Sequence, residues 1–178
     1  MSREVHLKLN ADPKTNALRA INEEHGSIHE GDHFFFSNFE DENTSGTIEL
    51  VITTPDTTKW GHFLFRVAST EKIEVKLYEG ATTVAGGAAV TPINNNRNSI
   101  NTSGMSVVKD PTSIGGDGTQ IDAWSTGSTG PFAQLGHAER NEEIILKQNE
   151  KYLLRITSKT DNNTISYAAH WYEHVDLS

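Results

Sequence analysis

Hydrophobic and polar residues alternate with a period of two in short runs along most of this chain. That alternation is typical of β-strands that bury one face against a core. The runs lie at 5–9, 32–39, 46–54, 60–68, 73–77, 120–126, 143–147, 151–158 and 164–175. Short strands separated by turn signals predict an all-β protein, and a jelly-roll-like β-sandwich is the architecture we favour.

Three details make this prediction more specific. The run 32–39 contains three consecutive phenylalanines and loses strict alternation, so we expect that strand to be covered on both faces. The runs 60–68 and 73–77 are separated by a short turn and are predicted to pair as antiparallel neighbours. The turn at 159–163 joins the last two strands, and its Asp and Asn residues tolerate the left-handed conformation that tight reversals need.

Helical patterns are scarce in this sequence. Helical spacing is present at 15–24, although the same residues also fit a strand. Histidines recur every four residues at His25, His29 and His33, and on a helix they would share one face. Gly26 and Gly31 interrupt this segment and favour a loop instead.

The segment 77–130 differs from the rest of the chain. It contains nine of the 14 glycines and is rich in Thr, Ser and Asn. Because patterned strands flank it on both sides, we predict a long ordered loop excursion from one domain rather than a linker. We therefore divide the chain into an N-terminal arm or first strand at 1–24 and a single β-sandwich domain at 25–178.

Composition narrows the functional classes. The chain has 178 residues and no cysteine, so packing and hydrogen bonds must stabilise it without disulfides or thiolate metal sites. The net charge is −9 and the basic residues are scattered, which argues against binding a nucleic-acid backbone. Neither an export signal nor a membrane anchor is recognisable, so we expect no membrane partner.

Candidate catalytic and metal-binding chemistry is weak. No Walker A, G-x-S-x-G or H-E-x-x-H pattern is present, and the acidic pairs lie at strand ends, so we expect no enzymatic activity. His170 and His174 share one face of a strand with Tyr172, but a third metal ligand is not identifiable. We interpret these histidines as structural and expect no metal or cofactor. A cupin-like metalloprotein is the third functional hypothesis.

Aromatic side chains offer a different possibility. Trp60, Trp124 and Tyr78 are candidates for a platform on which sugar rings stack, although large aromatic residues more often pack in a core or an interface. The second functional hypothesis is therefore a module that binds carbohydrate.

The sequence also resembles a family of tailed-bacteriophage virion proteins of the capsid decoration, or cement, type. The resemblance begins at KLYEGATTVAGGAAVTPINNNRNS and extends over most of the chain from about residue 25. Its other blocks are HEGDHFF at 29–35, IELVITTP at 48–55, GHFLF at 61–65, EIIL at 143–146, YLLRI at 152–156 and WYEH at 171–174. These blocks share an order along the chain and contain no catalytic signature.

The resemblance implies a structural role without chemistry. A decoration protein binds the major capsid protein on the capsid exterior and adds buried contact area at many equivalent positions. Such proteins commonly form homotrimers at local threefold positions, so we expect self-association as a homotrimer. The implied localisation is the virion, after assembly in the host cytoplasm. For the second hypothesis, the resemblance implies a phage tail or fibre-associated module that binds carbohydrate on a receptor.

Candidate interface residues follow from these blocks and from the arm. Val5, Leu7 and Leu9 form a strand that Asp12–Pro13 separates from the domain, so it is free to pair with an external sheet edge. The other candidates are Tyr78, Glu79, Asn95, Asn96, Arg97 and Trp124. We expect the turn at 94–99 to hold neighbouring backbone through its amides, and Arg97 to form a forked bond to a carboxylate.

Overall fold

The structure is a computed structural model that describes residues 23–82, 84–128, 136–139 and 142–175, with the backbone alone for 23–24 and 136–139. Within these ranges the chain forms one helix and twelve strands. They are α1 (Glu23–Glu30), β1 (His33–Glu42), β2 (Thr47–Thr53), β3 (Lys59–Ser69), β4 (Ile73–Glu79), β5 (Ala88–Val90), β6 (Ile93–Asn94), β7 (Ser106–Lys109), β8 (Thr119–Thr126), β9 (Gly136–Glu139), β10 (Ile144–Leu146), β11 (Lys151–Ser158) and β12 (Asn163–Val175).

The strands form two antiparallel sheets that pack face to face. The first sheet has the order β10–β3–β12–β1–β6, and β9 pairs with another stretch of β3. The second sheet has the order β5–β7–β2–β11–β4–β8. The predicted all-β sandwich is confirmed, and the jelly-roll connectivity stays a prediction.

The main hydrophobic core fills the space between the sheets, and the period-two pattern decides which side chains enter it. Alternate residues of the central strands point inward: Ile48, Leu50 and Ile52 of β2, Phe63, Phe65 and Val67 of β3, and Tyr152, Leu154 and Ile156 of β11. Trp171 of β12 is 1% exposed, and its ring centre lies 6.4 Å from that of Phe34. Burying one such side chain stabilises the fold by roughly 1.5–3 kcal/mol.

Most connections between successive strands cross from one sheet to the other, and the connection from β3 to β4 corrects the predicted pairing. β3 and β4 are not neighbours, because β3 pairs with β12 and β4 pairs with β11. That prediction was wrong because alternation identifies the buried face of a strand but not its partner. The turn at 159–163 likewise leads from β11 in the second sheet to β12 in the first. Its predicted left-handed residue is confirmed, since Asn162 has a φ of 53°.

The buried side chain of Asn163 holds the β3–β4 and β11–β12 connections together. Its Oδ1 accepts hydrogen bonds from the backbone N–H of Glu71 at 2.9 Å and from the hydroxyl of Thr70 at 3.2 Å. Its Nδ2 donates to the backbone oxygen of Lys72 at 3.2 Å and to Oγ of Ser158 at 3.1 Å. An amide is costly to bury unless it is paired, so this geometry fixes both turns relative to each other.

The structure contains a helix where the sequence predicted a loop. α1 includes Gly26, which costs a helix roughly 1 kcal/mol relative to Ala. The buried Ser27 and half-buried Ile28 belong to the same helix, which contacts β1 and β12. The helix ends at Gly31, whose φ is +79° and where a Cβ would lie 2.2 Å from Oγ of Ser99. The loop prediction was wrong because Gly31 ends the helix rather than preventing it.

The strand predicted at 32–39 is present as β1, but its burial differs from the prediction. Phe34 and Phe36 point into the core, and His33 on the opposite side is also buried. Phe39 is 67% exposed, so the expectation that both faces are covered is wrong at that end of the strand. The strand predicted at 5–9 and most of the segment 15–24 lie outside the described residues. The division at residue 24 stays a prediction.

The predicted ordered excursion is confirmed, and part of it packs on the outer face of the second sheet. Its strands β5, β7 and β8 join the second sheet, while β6 joins the first. A small second core contains Val51, Ala81 and Leu153, with Tyr78, Val84 and Ile114 packed around it. Glycine and small polar residues therefore build a folded layer here rather than a solvated loop.

Candidate functional site

The register of the first sheet brings aromatic and imidazole side chains together on its outer face. Paired residues in neighbouring antiparallel strands point to the same side of the sheet. One row runs His33, Tyr172, His62 and Ile145, and the next runs Ile93, Phe35, His170 and Leu64. Two further rows contain Ser37, Ala168 and Arg66, and then Phe39, Ser166 and Ala68. We call these four rows the outer face.

Four residues of this region form a connected polar group, which we call the imidazole cluster: His62, His174, Tyr172 and Glu143. Nε2 of His62 lies 2.7 Å from Nε2 of His174. Nδ1 of His62 lies 3.1 Å from Oε1 of Glu143, and the hydroxyl of Tyr172 donates to the same carboxylate at 2.8 and 3.0 Å. The ring of Tyr172 stacks on that of His62 at 4.4 Å.

The cluster joins three segments that are distant in sequence. His62 comes from β3, Tyr172 and His174 come from β12, and Glu143 immediately precedes β10. The same-face arrangement of His170, Tyr172 and His174 was predicted from the sequence, and both histidines are half-buried. His62 and Glu143 were missed because strand pairing, which alternation does not reveal, brings them to that face.

Shallow grooves cross the outer face. A groove of about 430 Å³ is lined by Phe39, Ser37, Arg66, Ala168 and Ser166, among others. A second groove of about 280 Å³ shares Ser37, Arg66 and Ala168 with the first and continues toward His33 and His170. The small side chains of Ser37 and Ala168 create this depression between larger neighbours.

Several large hydrophobic side chains on the outer face remain accessible. Phe39 is 67% exposed, Ile145 is 49% exposed and Ile93 is 39% exposed. Next to Ile145, a third groove of about 330 Å³ is lined by Trp60, Leu146, Lys147 and Gln148. A group of exposed apolar residues beside grooves is typical of a surface that binds a partner.

Among the residues that the structure describes, no group of three or more His, Cys, Asp or Glu residues has an arrangement that could hold a metal ion. In the same part of the chain, no helix has the length and apolar character needed to cross a membrane.

The predicted interface residues Tyr78 and Glu79 contact other parts of the same chain. The guanidinium carbon of Arg155 lies 5.5 Å from the centre of the Tyr78 ring. Glu79 accepts hydrogen bonds from Lys147 at 2.5 Å and from the hydroxyl of Tyr152 at 3.0 Å. The bond from Lys147, helped by that from Tyr152, holds the pKa of Glu79 below its ordinary value. This network ties β4 to the segment after β10.

Asn95, Asn96 and Arg97 lie in a turn beside α1. Asn96 donates from Nδ2 to the backbone oxygen of His29 at 3.1 Å, and Nδ2 of Asn95 lies 2.7 Å from Nδ1 of His33. The expectation that amides of this turn hold neighbouring backbone is therefore confirmed. Arg97 donates to the backbone oxygen of Asn94 at 3.5 Å, and no hydrogen bond from Arg97 to a described carboxylate accompanies it.

Trp124 is half-buried on β8 and packs on the main core, with its ring centre 5.2 Å from that of Phe65. This position favours packing over an exposed sugar-stacking role. Val5, Leu7 and Leu9 lie outside the described residues. An interface role for any of the predicted residues stays a prediction.

A second polar group fastens the excursion to the second sheet. Arg155 on β11 donates to both carboxylate oxygens of Asp117, at 2.5 and 2.8 Å, and to Glu49 at 2.6 Å. The hydrogen bonds from Arg155 hold the pKa of Asp117 below its ordinary value. Because a forked pair fixes orientation as well as distance, this group positions the loop that follows β7.

A third polar group connects the two sheets near the end of β1. Lys109 of β7 donates to Glu40 of β1 at 2.6 Å and to Asp110 at 2.7 Å, and the hydroxyl of Tyr167 also donates to Glu40. Burial alone would lower the pKa of Lys109, but its bonds to Asp110 and Glu40 outweigh burial and raise it. These charges stabilise the packing of one sheet on the other.

Comparisons of this chain with protein-family models, with curated proteins and with solved structures found no match. The outer face and its imidazole cluster are therefore interpreted from their own chemistry.

Proposed function

We propose that this protein is a non-enzymatic virion structural protein that binds the outer surface of a phage capsid and stabilises the head. The order of sequence blocks from HEGDHFF to WYEH supports membership of the capsid decoration type. The internally paired polar groups around Arg155 and Lys109 support a structural role, since they connect segments of the fold. Stable attachment to a shell needs contact area and no reacting group.

The observation that carries this proposal is the combination of exposed apolar residues and grooves on the outer face. Phe39, Ile93 and Ile145 keep much of their surface accessible although they are large and apolar. Residues of this kind contribute most to the free energy of binding when a partner buries them. The second sheet differs, because part of the excursion packs on its outer side. We therefore assign capsid binding to the first sheet.

The charge of the outer face indicates the chemistry of its partner. Arg66 is exposed and lines two of the grooves. His33, His62 and His170 add imidazoles to the same face, whereas the whole chain has a net charge of −9. A capsid surface that presents apolar side chains with a few carboxylates fits this face, because the carboxylates can pair with Arg66.

Sedimentation with undecorated, expanded capsids tests the proposal. The wild-type protein is expected to co-sediment, and Phe39→Asp is expected to weaken binding by roughly 10- to 100-fold, the equivalent of losing one buried apolar side chain. Ile100→Asp is the matched control, because Ile100 is 96% exposed in the excursion and lies off the outer face. Wild-type protein that stays in the supernatant, or a Phe39→Asp variant that binds as tightly as Ile100→Asp, would contradict the proposal.

Self-association as a homotrimer belongs to the same proposal. Its support is the resemblance to decoration proteins, which commonly occupy local threefold positions. Sedimentation equilibrium of the purified protein is expected to give three times the mass of one chain. A single-chain mass at all concentrations, with capsid binding retained, would remove the trimer from the proposal.

A carbohydrate-binding role is the second candidate, and the groove beside Trp60 favours it. The half-buried indole of Trp60 lines this groove together with Lys147 and Gln148, which supply polar groups next to an aromatic surface. This candidate would be favoured over the first if the wild-type protein bound to a glycan array, lost that binding on Trp60→Ala substitution and did not co-sediment with capsids.

A further inference from the structure

The partners of His62 and His174 determine which ring nitrogens carry protons. Nδ1 of His62 faces Oε1 of Glu143, a carboxylate that already accepts from the hydroxyl of Tyr172. Nδ1 of His174 lies 2.9 Å from the backbone oxygen of Val175, which can only accept. Both rings therefore donate from Nδ1.

This assignment leaves the two Nε2 atoms facing each other. In neutral rings protonated at Nδ1, each Nε2 carries a lone pair, and the two atoms are 2.7 Å apart. Two lone pairs repel at this distance unless a cation lies between them. Zinc bonds of about 2.0–2.1 Å at the tetrahedral angle would separate two nitrogens by about 3.3 Å, which is longer than observed. A charge-assisted N–H···N bond fits the shorter distance.

We propose that His62 and His174 share one excess proton between their Nε2 atoms and that Glu143 balances its charge. The pair is then an imidazole–imidazolium unit in contact with a carboxylate. His62 is 7% exposed, so the counter-charge matters more than it would in open solvent. If the pair loses this proton, the two Nε2 lone pairs are left in contact. If it gains a second proton, the two rings become adjacent cations.

Other titratable or charged groups approach the pair from each neighbouring strand. The described ones are Tyr172 and His170 of β12, His33 of β1, Glu143 before β10, and Lys59 of β3 with its ion-pair partner Asp32. Tyr172 stacks on both rings, at 4.4 Å from His62 and 5.7 Å from His174. Among these groups, the carboxylate in direct contact with the pair is that of Glu143. Glu143 is therefore the residue to substitute in a test.

The shared proton predicts an unusual dependence of stability on pH. In the proposed state the folded pair keeps its one proton, whereas two independent histidines of the unfolded chain each gain or lose a proton around pH 6.5. Below pH 6.5 the unfolded chain binds more than one proton at these residues, and above pH 6.5 it binds fewer. The contribution to stability is therefore greatest near pH 6.5, and the folding equilibrium constant falls roughly eightfold by pH 8 and by pH 5.

Urea unfolding at pH 5, 6.5 and 8 tests this, with Glu143→Gln as the main variant. A glutamine amide can donate to Nδ1 of His62, which lets Nε2–H of His62 donate to His174 without an excess proton. The unfolded histidines bind the same protons in both proteins, so the difference reports the folded pair alone. Because only the wild-type pair carries the excess proton, the folding equilibrium constant of wild type relative to Glu143→Gln is expected to fall as the pH rises, by up to roughly tenfold per pH unit. His170→Gln, on the same strand but outside the pair, is the control, and its folding equilibrium constant relative to Glu143→Gln is expected to fall with rising pH in the same direction.

Nitrogen-15 NMR of the imidazoles in the wild-type protein gives an answer that does not depend on a variant. At pH 6.5 both Nδ1 atoms are expected to be protonated, with one further proton shared by the two Nε2 atoms. A neutral ring with a bare Nδ1 in either residue, or a flat difference between wild type and Glu143→Gln across the three pH values, would overturn the proposal. These measurements need no capsid, so they stand or fall independently of the proposed function.

Discussion

Glu173 places a carboxylate inside one end of the sandwich, and neutralising it should destabilise the fold strongly. The side chain is 5% exposed. It accepts hydrogen bonds from the hydroxyl of Ser103 at 2.6 Å, from the backbone N–H of Gly104 at 3.0 Å and from the indole N–H of Trp171 at 3.0 Å. The backbone N–H of Met105 lies at 3.4 Å. Buried carboxylates are rare, and this one closes the segment 103–105 over the core.

The expected magnitude follows from the number of donors. Glu173→Gln replaces one acceptor oxygen by an N–H₂ group. Three of these donors share Oε1 and the N–H of Gly104 points at Oε2, so an amide that keeps its carbonyl at the Oε1 position sets the N–H of Gly104 against another donor. A hydrogen bond to a charged group contributes roughly 1.5–3 kcal/mol and a neutral one about 0.5–1.5 kcal/mol. Losing one charged bond and weakening the other three should therefore lower the free energy of unfolding by about 3–5 kcal/mol. Trp171 lies in contact with the carboxylate, so tryptophan fluorescence during urea unfolding should report the loss.

The control is Glu142→Gln, because Glu142 is exposed. That variant should unfold within about 0.5 kcal/mol of wild type. Hydrogen exchange provides a local readout: the amides of Gly104 and Met105 should exchange faster in Glu173→Gln. A variant whose unfolding free energy stays within 1 kcal/mol of wild type, or whose two amides keep their protection, would refute the view that the carboxylate holds this segment.

Two further predictions concern the second sheet and the arm. Arg155→Lys keeps the charge but loses the forked pair of hydrogen bonds to Asp117, so the free energy of unfolding, measured by urea titration, should be lower by about 1–2 kcal/mol. An unchanged urea midpoint would contradict this. Because the pKa of Asp117 is lowered in the folded state, its contribution is present at neutral pH and lost as the pH falls below about 4, so the difference between wild type and Asp117→Asn should shrink there. Deleting residues 1–12 should weaken capsid attachment and leave the unfolding midpoint unchanged, and equal attachment of the truncated protein would argue against a role for Val5, Leu7 and Leu9.

The sequence predicts the strands of this protein well because each strand buries one face. Ile48, Leu50 and Ile52 lie at every second position of β2, and all three are fully buried as that pattern requires. The same local signal says nothing about long-range pairing. Strands β3 and β4 show the limit, since both carry the strand pattern over most of their length and yet lie in different sheets.

The candidate site could be predicted only in part for the same reason. His170, Tyr172 and His174 are two residues apart along one strand, so their common face follows from the strand period. His62 joins them because β3 pairs with β12, and Glu143 joins them because the segment before β10 reaches the same edge. Without the register, a pair of histidines could not be extended to a cluster.

The central positions of β11 and β12 have a consequence for how the chain acquires its fold. β11 lies between β2 and β4, and β12 lies between β1 and β3, although both central strands follow all of these neighbours in the sequence. During synthesis, the early strands therefore leave the ribosome without the strand that joins them. Neither sheet can form completely until residues 151–175 have been synthesised. We therefore expect slow, cooperative folding after translation, on a scale of roughly milliseconds to seconds. Chains that stop before residue 151 should expose unpaired strand edges and aggregate.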